Sequence, residues 1–182
     1  MASILKVNTI QDATNSTTAI SVDTAGRVTT PARPFFEVRK SGNQTGITAT
    51  NTSNATIITF NVVGSNVGSH FDTSTGRFTA PVTGVYQFNF SILLQDIGNS
   101  DDGIHVSFFI DGNHQIYFSR AVGEAAQGYQ GYGGYLPVQG SASFLLSANS
   151  LLDIRTFYAG GGDGFGVYGG TDWSHFSGYL IG

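Results

Sequence analysis

Tyr86, Phe88 and Phe90 recur at every second position and run on into Ile92 and Leu94, with Gln87, Asn89 and Ser91 between them. Successive side chains of an extended chain point to opposite faces, so this stretch sets aromatics on one side and polar groups on the other. Wound at about 100° per residue, the same rings would scatter around a helix with no continuous stripe. A half-buried β-strand is therefore expected. Pro81 has no N–H to give to a ladder and Gly84 can turn where other residues cannot, so the strand is expected to start after a sharp connection.

Further strand candidates follow at the spacing of an all-β sandwich: residues 35–39, 56–62, 77–79, 85–94, 104–110, 115–120, 141–146, 151–158 and 175–181. Ile104, Val106, Phe108 and Ile110 alternate cleanly, and Asp111-Gly112-Asn113 after them spells a hairpin turn. No window sustains a 3.6-residue apolar stripe, so little helix is expected. Two glycine-rich stretches are left as long loops, residues 123–135 (GEAAQGYQGYGGY) and 160–173 (GGGDGFGVYGGTDW).

The spacing across residues 60–90 resembles the signature of the complement C1q globular head, one of the tumour necrosis factor-like jelly rolls. Phe60, Asn66, Phe71, Phe78, Gly84, Tyr86, Phe88 and Phe90 fill every position of that signature. Phe176-Ser177-Gly178-Tyr179-Leu180 resembles the family's closing strand. The resemblance runs from residue 34 to residue 182 and implies a ten-stranded antiparallel jelly-roll sandwich assembled as a homotrimer.

Residues 1–33 stand apart. They read as short extended segments joined by turns, ILKVNTI, DATNSTT and AISVDTAGRVTT, with Asp23 to Gly26 supplying turn chemistry. Too few large apolar groups are present for a separate core, so this segment must dock on something, pair with copies of itself or stay free. Its opening, Ala2 to Ile10 (ASILKVNTI), resembles the N-terminal leader of tailed-bacteriophage structural proteins. That resemblance implies an anchor on the virion made by Ile4, Leu5, Val7 and Ile10. Pro31 and Pro34 mark a stiff linker into residues 34–182.

Several classes of function are disfavoured. Charged residues are 11% of the chain, against roughly 25% in ordinary domains. Residues 1–40 carry five basic and three acidic groups, leaving three basic and nine acidic for the rest. The main domain thus lacks the basic footprint of a nucleic-acid binder. Cysteine is absent, which removes disulfides and thiolate metal sites. No run of 18 apolar residues and no signal-peptide core occurs, so neither membrane insertion nor export by that route is expected. The sequons at Asn15, Asn43, Asn51, Asn54 and Asn89 are accordingly expected to stay unmodified.

Catalysis is not expected. His70, His105, His114 and His175 have no metalloprotease spacing, no G-x-S-x-G elbow occurs, and Glu37 and Glu124 are the only glutamates. Gly164, Gly166 and Gly169 satisfy G-x-G-x-x-G without the βαβ context that would make it a dinucleotide fingerprint. No cofactor is expected. Asp101, Asp102, Asp111, Asp163 and Asp172 read as solvated turn acids, with calcium ligation as the alternative.

The glycine-rich loops are the candidate binding site: Tyr129, Tyr132 and Tyr135 in the first, Asp163, Phe165, Tyr168 and Trp173 in the second. Flat rings beside bare backbone amides can stack on sugars and bond their hydroxyls, and loops are where binding groups concentrate. The alternative is that the rings pack between subunits. With 14 Phe, 8 Tyr and few charges, a lone sandwich would expose apolar surface, which favours self-association. The expected trimer interface draws on aromatic residues of the strand at 85–94, with both loops close together at an exposed end. The expectation is a non-enzymatic virion protein, made in the host cytoplasm, whose trimeric head is a fibre knob for host-surface glycan. A capsid decoration protein and a free soluble trimeric lectin are the alternatives.

Overall fold

A computed structural model describes residues 6–97, 103–120, 134–159 and 164–182, and all regular structure among them is antiparallel β. The first three strands, β1 (Thr9–Gln11), β2 (Thr18–Val22) and β3 (Val28–Thr29), form a small sheet of their own. The turn expected at Asp23 to Gly26 closes its second hairpin. The Asp23 carboxylate accepts the N–H groups of Ala25 and Arg27, both at 2.9 Å, while Gly26 takes a φ of 79° that glycine tolerates freely.

The sandwich begins at β4 (Phe35–Arg39). Its first sheet joins β4 to β5 (Gln44–Ile47), β7 (Val62–Val67), β10 (Gly84–Gln95), β13 (Leu136–Leu146), β15 (Phe165–Val167) and β16 (His175–Leu180). The second contains β6 (Thr56–Ile57), β8 (Phe71–Asp72), β9 (Arg77–Thr79), β11 (Gly103–Ile110), β12 (Asn113–Arg120) and β14 (Leu151–Ala159). β10 is the spine. One flank pairs with β13 from Gly84↔Leu146 to Leu94↔Leu136, and the other with β16 from Tyr86↔Leu180 to Ser91↔His175 and then with β15 at Leu94↔Val167.

The alternation of β10 is realised as expected. Tyr86, Phe88, Phe90, Ile92 and Leu94 are all at most 3% exposed and face β11, β14 and β9 across the interior. Phe88 meets Phe36, Phe78, Phe108, Phe144 and Phe176 at ring-centroid distances of 5.5–6.4 Å. Such tilted and edge-on packings add to the burial itself. The space for these rings is made by Gly178 on the neighbouring strand, where a Cβ would stand 2.5 Å from Phe88 and 2.6 Å from Phe36.

Each residue of the motif across 60–90 now has a physical reason. Phe60, Phe71 and Phe78 are core rings. The Asn66 amide donates to the Phe71 carbonyl at 2.8 Å and accepts the Phe71 N–H at 3.1 Å, bridging the turn between them as a backbone pair would. The Tyr86 hydroxyl, carried into the core by its ring, donates to the Val82 carbonyl at 2.8 Å. At Gly84 a Cβ would stand 2.7 Å from the Leu180 side chain and 3.1 Å from the Gly182 carbonyl, so the start of β10 lies in close contact with the C-terminal segment.

Four expectations are corrected. Residues 56–62 are not one strand: β6 lies in the second sheet and β7 in the first, and the chain between them crosses the interior with Ile58 and Phe60 fully buried. β13 starts at Leu136 rather than at Ser141, because residues 136–140 continue the ladder against β10. Residues 160–173 are not all loop, since β15 pairs with both β5 and β10. The aromatics of β10 cannot form a trimer interface, for Tyr86, Phe88 and Phe90 are consumed by the subunit's own core. Thirteen strand segments, β4 to β16, build the sandwich among the described residues, short pieces at its margins adding to the expected ten.

Candidate functional site

β10 gives the sandwich two distinct ends. At its start, Val85 donates to the Gly182 carbonyl at 2.7 Å, and Leu180 donates to the Pro34 carbonyl at 3.1 Å. Arg33 donates from its guanidinium to the carbonyls of Leu180 and Ile181. The N-terminal segment therefore joins the sandwich at the end where the chain also finishes. At the other end of β10, Leu94 pairs with both Leu136 and Val167, while Gly103 pairs with Ala159 and Ile104 with Arg120. The chain thus enters and leaves both glycine-rich stretches at this distal end. Twelve residues of strand separate the two ends by roughly 35–40 Å.

At the distal end Tyr135 and Tyr168 meet edge to face with centroids 5.4 Å apart, so the described margins of the two stretches lie together. Tyr168 and Trp173 flank Gly170, where a Cβ would stand 2.6 Å from one ring and 2.8 Å from the other. Trp173 is 59% exposed and Tyr135 37%, whereas Tyr168 is half-buried. The loop is held from beneath by Ser174. This fully buried residue donates its hydroxyl to the Tyr168 carbonyl at 2.9 Å and accepts the Leu93 N–H at 3.1 Å.

The candidate ring set therefore divides. Tyr135, Tyr168 and Trp173 are brought together at the surface. Phe165 is not among them: it is 1% exposed and packs edge-on against Tyr158 at 4.7 Å, because its strand places it on the core side. Tyr129, Tyr132 and Asp163 lie outside the described residues, as do Ile4 and Leu5 of the proposed anchor. Val7 and Ile10 of that anchor are exposed, at 41% and 48%. Asp111, in the turn between β11 and β12, is tied to the start of β14: its carboxylate accepts the Leu151 N–H at 2.7 Å and its own N–H donates to the Leu151 carbonyl at 2.8 Å.

Three features escaped the sequence reading. The outer face of the first sheet is graded along its length. Nearest the N-terminal linker it exposes an apolar row, with Leu145 (72% exposed) opposite Val85, then Ile181, Tyr179 and Phe35. Further along, Gln87, Asn89 and Ser141 form a hydrogen-bonded polar patch, with Gln87 donating to Ser141 at 2.8 Å and Ser141 to Asn89 at 2.9 Å. The signal was the one apolar residue at the polar phase of each strand's end, a short pattern that periodicity alone does not register.

The second missed feature covers the outside of the second sheet. His105 stacks on Phe157 at 5.1 Å, and Tyr117 packs against His105 at 5.1 Å and His114 at 3.8 Å. His114 also meets Phe109 edge-on, and Arg155, paired with Asp153 at 2.6 Å, lies over the Phe109 ring. His105 Nδ1, Ser107 Oγ and His114 Nε2 are buried here without a hydrogen-bond partner among the described residues. Burial lowers the pKa of both histidines. The third is Lys40, 3% exposed, whose pKa burial pulls down to about 8.

No group of three or more metal-ligating side chains and no helix long and apolar enough to cross a membrane occurs among the described residues.

Residues 42–133, half of the chain, match the model of the C1q domain family. A stretch of 36 residues, 20% of this chain, is 56% identical to complement C1q tumor necrosis factor-related protein 3 of Homo sapiens and of Mus musculus. That stretch spans only 15% of the length of those relatives. Among solved structures, the fold is similar to Eiger TNF from S. frugiperda (TM-score 0.58, 11% identity, 83% of this chain and 94% of that one). It is also similar to murine APRIL at pH 5.0 (TM-score 0.55, 10% identity, 82% and 99%). Domains of this fold are generally trimeric binding modules. By the family match, the motif across residues 60–90 and the jelly-roll topology together, the chain belongs to the C1q domain family.

Proposed function

We propose that this protein is the trimeric, non-enzymatic binding head of a tailed-phage virion, anchored by residues 1–33 and binding host-surface glycan at its distal end. The observation that carries this reading is the opposition along β10: the N-terminal segment joins at one end, and Tyr135, Tyr168 and Trp173 gather at the other. An anchored head so built presents its rings outward. Rings beside the bare backbone of Gly170 suit the flat apolar faces and hydroxyls of sugars. Three copies would make three weak sites act together, raising avidity by roughly 10²-fold where geometry allows.

The exposed apolar row of Leu145, Val85, Ile181, Tyr179 and Phe35 supports assembly through the outer face of the first sheet. Contiguous apolar surface of that kind marks an interface. The virion half of the reading rests on the leader at Ala2 to Ile10, and it is tested on particles. Labelled cryo-microscopy is expected to find the protein on virions, and a chain lacking residues 1–32 is expected to fold but fail to incorporate. Absence from purified virions would overturn the anchoring role. Location on the capsid shell with no glycan bound would make it a decoration protein.

A further inference from the structure

Lys40 follows β4 directly and is buried at the wall of a cleft of about 350 Å³ beside the distal-end loop. No carboxylate pairs with it among the described residues. Of its three hydrogen bonds only the one to the Thr59 carbonyl, at 2.9 Å, has ordinary length. Those to Gln44 Oε1 and Thr59 Oγ1, at 3.3 and 3.4 Å, lie beyond the usual range for N–H···O. A buried ammonium held by neutral oxygens alone is an uncompensated charge, and buried charges are ordinarily paired.

The rest of the lining supplies donors. The hydroxyls of Ser41 and Thr73 and the amide nitrogen of Asn43 bond to no other described residue, and all three line the cleft. The wall is held in place around them. Asn61 accepts the Ser41 N–H at 2.7 Å and donates back to its carbonyl at 2.9 Å, while Asn43 Oδ1 accepts the Gly169 N–H at 2.9 Å, leaving its amino end free. Gly169 lies so close to Gly42 that a Cβ would stand 2.0 Å from its backbone, which locks this wall to the loop bearing Tyr168 and Trp173. Among the described residues Lys40 is the only titratable group lining the cleft. The neighbouring Asp72 carboxylate is engaged by the hydroxyls of Ser74 at 2.7 Å and Thr75 at 2.9 Å.

We propose that this cleft binds a compact oxyanion, a carboxylate, sulfate or phosphate group, with Lys40 supplying the charge and Ser41, Asn43 and Thr73 the hydrogen bonds. On the reading of the head as a glycan binder the oxyanion belongs to an acidic sugar; the site itself does not depend on that reading. Charge-assisted hydrogen bonds of this kind are about twice as strong as neutral ones.

The test is calorimetric titration of the full chain with sodium sulfate, sodium glucuronate and glucose against a sodium chloride control of equal ionic strength, with amide NMR shifts as the map. Saturable binding of sulfate or glucuronate, none of glucose, and shifts confined to residues 40–44 and 73–74 are expected. Sulfate without glucuronate assigns the site to a free inorganic anion, and both together to an anionic group that a sugar can carry. Lys40→Met should weaken binding by about tenfold or more. Because the ammonium is the binding form and its pKa is about 8, affinity should fall by up to about tenfold per pH unit above that value. Should the Lys40 variant not fold, Thr73→Val, a near-isosteric change at a half-buried turn position whose hydroxyl bonds to no other described residue, must weaken binding while leaving the melting temperature unchanged. No saturable binding above the chloride control, or full binding by either folded variant, would overturn the proposal.

Discussion

A ring's face within its strand decides whether it can bind anything. Phe165 and Trp173 read alike in a glycine-rich stretch, yet β15 turns Phe165 inward against Tyr158 and leaves Trp173 in solvent. Composition showed the aromatics but not the three-residue strand that begins at Phe165, since so short a segment carries no period. Phe165→Ala should therefore cost about 3–5 kcal/mol in denaturant unfolding, whereas Trp173→Ala should leave the midpoint nearly unchanged. Gly178→Ala should cost about 1–3 kcal/mol through overpacking against Phe88 and Phe36. The histidines set a pH dependence. His70, His105 and His114 are held below the ordinary value of 6.5 by burial, so the unfolded chain binds protons first as pH falls. Their contribution is fully present above about pH 6.5 and is lost as pH falls below it toward their folded values. Urea midpoints measured from pH 7.5 to 5 should drop, and the His105→Gln, His114→Gln double variant should drop less.

At the scale of elements, long alternating strands were legible and short marginal ones were not. β4 and β9 match their expected bounds, and β10, β11 and β14 lie within two residues of theirs, because one buried face imposes a period of two. β5, β8 and β15 are two to four residues long and owe their existence to neighbours distant in sequence. The same dependence explains why the distal site was only partly legible: Tyr135 and Tyr168 could be named, but their meeting depends on β13 and β15 flanking the end of β10 from opposite sides. Lys40 stood out in no pattern, since burial of a single lysine is a product of tertiary packing. If the distal rings bind glycan, Tyr168→Ala with Trp173→Ala should abolish attachment to host cells or an immobilised glycan while the melting temperature stays within a few degrees. A large fall in melting temperature with attachment intact would mark the rings as packing groups.

For the whole molecule, the ordering of faces matters more than any single contact. The aromatic side of β10 is spent inside the subunit, so the proposed trimer has the opposite side to assemble through, where Val85 and Leu145 face outward beside Ile181, Tyr179 and Phe35. A lysine at Leu145 would place an unpaired charge in that contact without touching the core. Light scattering coupled to size-exclusion chromatography, on the intact chain and on Leu145→Lys, tests this most directly. The intact chain should elute with three times its 19.2 kDa mass, and the variant with a single chain's mass and an unchanged far-ultraviolet dichroism spectrum. A monomeric intact chain, or a variant that remains trimeric, would contradict assembly through the outer face of the first sheet.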